Sequence, residues 1–133
     1  MKAVLDSIAA GITSSASTSW FQGLGGRVYL NEAPANVALP LCVYSVLDHA
    51  ITQTFGSDRE AIAIEFQQFH PHTSGEAVAL ASAEKLHTLL DDNPLTATGY
   101  SRVVIRAESR GVTSMDDDAI QTVSRFRITA LKS

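Results

Sequence analysis

The segment Arg59–His70, REAIAIEFQQFH, alternates: Ile62, Ile64 and Phe66 fall on one side, and Ala61, Ala63, Glu65 and Gln67 on the other. A period of two is the repeat of an extended chain, and no helix gathers these residues on one stripe. One side is dry and the other mixed, so this strand belongs to a sheet covered more fully on one face. Downstream, His70-Pro71-His72 ends the strand. Thr73 then opens a helix, with Glu76 three positions on as the partner of a capping box. Ala79, Leu80, Ala83, Leu86 and Leu90 form its apolar stripe, and Asp91-Asp92-Asn93-Pro94 stops it. The alanines predict close packing on the sheet. Two further strands follow, Arg102–Arg110 and Ala119–Leu131, joined by the hairpin-like GVTSMDDD. In the first, Val103, Ile105 and Ala107 share a face opposite Arg102, Val104, Arg106, Glu108 and Arg110. In the second, Ile120, Phe126 and Ile128 oppose Gln121, Arg125 and Arg127.

Upstream, Gly56-Ser57-Asp58 marks a turn, preceded by the apolar run Leu41–Leu47, which reads as a central strand buried on both faces. A shorter strand, Arg27–Leu30, follows Gly23, Gly25 and Gly26. Between the two lies a segment containing Pro34 and Pro40 that suits neither helix nor hairpin and reads as a rigid extended excursion. Val4, Leu5, Ile8 and Ile12 recur at helical spacing, and Gly11 with the Ser/Thr run Thr13–Ser19 ends that first helix. Trp20 reads as an aromatic anchor against the core. The element order is α-β-β-β-α-β-β. It predicts an α+β fold, a mostly antiparallel sheet of about five strands with two helices on one face, in a single domain over residues 1–133. The other face, with Phe69, Val104 and Val123 among Arg and Gln, is too dry for full solvation and too charged for core. A neighbouring chain is expected to dock on it or on an exposed strand edge.

The composition, 45% hydrophobic and 18% charged, is that of a folded globular chain, and the net charge of −4 opposes a grip on phosphate backbones. No window approaches the length of a membrane span. The start MKAVLDSIAAG imitates a secretory leader, but Asp6 interrupts its apolar stretch, so it reads as a mature helix. Cys42 is the lone cysteine, set in an apolar run, so it reads as a buried small hydrophobe. No nucleophile motif or phosphate loop accompanies it, and GLGG at Gly23–Gly26 precedes a strand where a nucleotide loop would open a helix. His70-x-His72, with Glu65 or His87 as a third ligand, has the donor types of a metal site, yet Pro71 marks a corner where polar side chains are commonly exposed. Asp116-Asp117-Asp118 lacks the spaced oxygen ladder of a calcium loop and reads as a solvated hairpin tip. No cofactor and no enzymatic activity are expected.

The order of GGRVYLNEAP, ALPLCVYSV, REAIAIEFQQFH, SGEAVALASAEKLHTLLDD and SRFRITA resembles the tail-completion, or tail-terminator, proteins of long-tailed bacteriophages. Its most telling pieces are Gly26-Arg27-Val28-Tyr29, then Leu39-Pro40-Leu41 with Val43, and Arg125-Phe126-Arg127. The resemblance spans roughly Leu5–Ala130. It implies a virion structural protein, assembled in the host cytoplasm, that forms a hexameric ring on the head-proximal end of the tail tube. Such a ring halts addition of tail tube protein, offers its other side to the head–tail connector, and passes DNA without binding it specifically. Six copies would carry six times −4, or −24, in keeping with that passage. Expected interface residues are Pro34 and Pro40 in the excursion, and Arg102, Arg106 and Arg110 facing acids such as Glu65, Asp116, Asp117 or Asp118. The alternatives are a head-closure or neck connector protein and, from another class, a small cytosolic enzyme or ligand-binding domain with a pocket around His70, His72 or Cys42.

Overall fold

The computed structural model describes residues 2–13, 18–54, 57–91, 93–115 and 119–132. Its helices are α1 (Lys2–Thr13), α2 (Thr18–Gly23) and α3 (Glu76–Leu90). Its strands are β1 (Val28–Leu30), β2 (Leu41–Thr54), β3 (Ser57–Pro71), β4 (Asn93–Leu95), β5 (Tyr100–Met115) and β6 (Ala119–Lys132). All six form one sheet in the order β1-β2-β3-β6-β5-β4, antiparallel throughout except for β1 beside β2. The expected α+β architecture is present, with three elements added to it. α2 forms around Trp20, and β4 grows from the chain that stops α3. A 3-10 turn at His72–Ser74 fills the corner before α3.

The core lies on one side of the sheet. Along β6, Ile120, Thr122, Ser124, Phe126, Ile128 and Ala130 are buried, while Arg125 and Arg127 between them are exposed. β3 repeats this with Ile62, Ile64, Phe66 and Gln68. Onto that face pack Val4, Ile8 and Ile12 of α1, Trp20 of α2, and Leu86 and Leu90 of α3, in one contiguous apolar cluster. Phe66 is its centre, stacked on Tyr44 at 5.3 Å and meeting Phe126 edge-on at 5.6 Å, both favourable ring arrangements. Ala79 and Ala83 let α3 approach closely. Leu80, expected on the buried stripe, is instead 40% exposed, one position round from Ala79.

Three local expectations are corrected. β2 is not central: only the short β1 lies beyond it, pairing Val28–Leu30 with Cys42–Tyr44, so from Ser45 onward β2 is itself an edge. The capping box does not form. Thr73 lies in the 3-10 turn, and Gly75, at φ 86° and ψ 158°, is the residue before α3, with no side-chain cap. Finally, the segment between β1 and β2 is the return path that a parallel pair requires, since the chain must run back before β2 can start beside β1. Asn31 and Asn36 hold positive φ there, and the Asn31 N–H donates to the Tyr44 carbonyl at 2.8 Å.

Candidate assembly interface

The sheet positions of the other parity make a second face that no described helix covers. β3 contributes Arg59, Ala61, Ala63, Glu65, Gln67 and Phe69. Opposite them, in register, β6 contributes Leu131, Thr129, Arg127, Arg125, Val123 and Gln121. β5 adds Arg102 and Arg106, opposite Leu131 and Arg127. Five of the seven arginines in this acidic chain thus stand on one face: Arg59, Arg102, Arg106, Arg125 and Arg127. Alternation explains the concentration, because every second residue of these strands must point away from the helices.

Two of the arginines are tied to acids on the same face. Arg125 Nε donates to Glu65 Oε2 at 2.8 Å, and Glu65 also accepts from Gln67 Nε2 at 2.7 Å. Arg127 Nε donates to Glu108. Arg59 and Arg102 enter no ion pair among the described residues. With Arg106 and Arg127 they surround a shallow concavity of about 280 Å³, floored by Val104, Thr129 and Leu131. An apolar floor ringed by guanidinium groups is suited to a protein surface bearing carboxylates, since planar guanidinium binds carboxylate through paired hydrogen bonds.

The expected interface residues are not all brought together. Arg102 and Arg106 lie on this face as read. Arg110 does not: a β-bulge between Ala107 and Ser109 takes up one extra residue, so Arg110 pairs with Ser124 on the helix-covered side. There it approaches α3, where its charge, second to burial, holds the His87 pKa down. Pro34 is exposed in the return segment. Pro40 is half-buried, its carbonyl accepts from Arg27 Nε at 2.8 Å, and it borders a cleft of about 430 Å³ with Trp20, His70 and Lys85. Asp116, Asp117 and Asp118 lie outside the described residues.

The residues considered for chemistry are placed as follows. Cys42 is fully buried, and burial pushes its thiol far above the ordinary range, so it is no nucleophile. His70 is buried, and burial holds its pKa down, whereas His72 is exposed. Among the described residues no three of His, Cys, Asp and Glu gather as a metal site. None of the described helices is long and apolar enough to cross a membrane.

Two buried polar clusters were not anticipated from the sequence. Gln68 Oε1 accepts from Trp20 Nε1 at 3.1 Å and from Ser82 Oγ at 2.6 Å, tying α2 and α3 to β3. Glu60, 2% exposed, has His49 Nε2 at 3.4 Å and Lys132 Nζ at 3.4 Å. Burial raises the Glu60 pKa, but Tyr100, Lys132 and His49 outweigh it and leave the carboxyl below its ordinary value. A signal existed in both cases: a polar residue on the apolar parity of β3 must find partners if it is buried.

No protein-family model and no curated protein matches the sequence. Among solved structures, a chain of the virion of a native gene transfer agent particle superposes with a TM-score of 0.77 at 15% identity, covering 98% of this chain and 96% of that one. A second solved chain, described by no activity, superposes with a TM-score of 0.62 at 14% identity, covering 95% of this chain and 94% of that one. At such identities the likeness is one of fold.

Proposed function

We propose that the chain is a structural virion protein, a tail terminator. In this reading a ring of copies, six by the family resemblance, caps the head-proximal end of a tail tube, stops addition of tube subunits and joins the tail to the head connector. The observation that carries the proposal is the bare arginine face. The chain completes its core with one face of its sheet and leaves the other, dry at its floor and cationic at its rim, for a different protein to cover. Sharing nearly its whole fold with a chain of a virion particle supports the same reading. The tube end is the natural partner of this face, and Arg102 and Arg106 its principal contacts. DNA crosses the ring without specific binding, in keeping with the acidic total charge.

Electron microscopy of particles made without this protein tests the role. Tails of uncontrolled length, or headless tails with open upper ends, are expected; particles of normal form would overturn the proposal. Purified protein that binds portal complexes and ignores tail tubes would assign it to head closure.

A further inference from the structure

The two edges of the sheet are stepped, and the steps match. On one edge, β1 covers β2 only at Cys42–Tyr44, leaving Ser45–Thr54 open among the described residues. On the other edge, β4 covers β5 only at Val103–Ile105. The Ala107 N–H beyond it is taken by Asp91 Oδ1 at 2.7 Å, and Glu108–Met115 is open among the described residues. The register places these openings at opposite ends of the sheet. The covered part of β2 lies at the end shared by Leu41, Phe69, Ile120 and Met115, the covered part of β5 at the end shared by Thr54, Ser57, Leu131 and Tyr100.

We infer that copies of this chain join edge to edge, β1 of one copy seating in the recess that β5 of its neighbour leaves beyond β4. This rests on the ring reading above and adds how the ring closes. With copies side by side and strands aligned, the recess on each edge faces the projecting short strand of the other. Strand directions agree. β1 runs with β2, and β5 runs against β2 because antiparallel pairing alternates through β3 and β6, so β1 meets the neighbour's β5 antiparallel. The open part of β5 spans eight residues, roughly 26 Å at strand rise, ample for three-residue β1. Burial points to the same edge. Of the five large apolar side chains left exposed among the described residues, the three outside α3 are Leu30, Leu47 and Ile51, all on β1 and β2. An open, apolar strand edge is a template for pairing unless something covers it, and the contact is head-to-tail, the kind that closes into rings.

Cysteine trapping tests the joint, because native Cys42 is buried and gives no background. Leu30→Cys is combined with Ser109→Cys in one protein and with Arg110→Cys in another, so that each side of β5 is sampled; all three positions are exposed. A disulfide forms only where Cα atoms come within about 7 Å. Mild oxidation of concentrated protein is expected to give a ladder beyond the dimer in at least one combination. Peptide mass mapping should place the link between position 30 of one copy and position 109 or 110 of the next, and the single variants should stop at dimers. Absence of that link in both folded double variants, or dimers alone, would overturn the joint. The native mass of the unmodified protein on tube ends judges the ring separately: a ring without the link removes only this inference.

Discussion

Gln68, Glu60 and His70 on the buried parity of the sheet, with His87 of α3 packed against Phe126, show how single residues set the conditions under which the chain stays folded. Each is a polar group taken from water, and each titrating member of the set has a displaced pKa. The histidines are held down, by burial first and, for His87, by the nearby Arg110. Their neutral forms are therefore the folded ones. As pH falls below the ordinary histidine value of 6.5, the unfolded chain takes up protons that the native chain refuses, and stability drops. Glu60 is displaced downward as well, so its contribution is complete above the ordinary 4.5 and is lost as pH falls through the lower folded value. Urea midpoints measured from pH 8 to pH 3 should decline in two stages, below about 6.5 and again below about 4.5. Glu60→Gln should flatten the second stage only; a midpoint constant across the histidine window would contradict the buried neutral imidazoles. Of the three on β3 the sequence displays only their parity. Their partners, Tyr100 and Lys132 for Glu60 and Trp20 for Gln68, come from strands and helices far along the chain, so no local pattern announces them.

Among elements, the long strands were legible and the irregular joints between them were not. β3, β5 and β6 follow period two closely enough that Ile62, Val103 and Phe126 could be assigned to one face from their neighbours alone. The bulge after Ala107 leaves no mark in composition, and it is what carries Arg110 across the sheet. β4 was hidden because three residues are too few for a period. Parallel pairing of β1 was hidden because nothing local distinguishes a return crossover from a docking arm. The start of α3 is instructive, since Thr73 and Glu76 have the right spacing for a box that the 3-10 turn prevents. Gly75 does that work through a backbone conformation reserved in practice for glycine. Gly75→Ala, though no atom lies within 4 Å of the added carbon, should therefore cost about 1–3 kcal/mol in chemical denaturation. Thr73→Ala should stay within about 0.5 kcal/mol, as surface changes do. The reverse order would restore the capping box.

For the whole molecule, the proposed reading divides the labour between face and edge: the edges serve further copies of the chain, and the arginine face serves a different protein. This separation makes the proposed role divisible by experiment. Arg102→Glu changes the rim of the concavity but lies near neither the β1 step nor the open part of β5. It should weaken capping of purified tail tubes tenfold or more, about 1.4 kcal/mol, most visibly at low salt, and leave the native mass of any ring unchanged. Lys85→Glu, on the helix side, should leave both capping and ring mass unchanged. Undiminished capping by Arg102→Glu would remove the arginine face from the interface. The uncovered, mixed face could be foreseen by counting helices against strands. That it gathers five arginines could be read from parity, but the concavity they surround required the register of three strands.

The bond between Trp20 and Gln68 gives the protein an optical gauge of its own. Trp20 is the only tryptophan, it is 2% exposed, and it is held where α2 meets the sheet. Its fluorescence therefore reports one event without a dye, the seating of that short helix, and a red shift during assembly would signal that α2 lifts when the subunit takes its place.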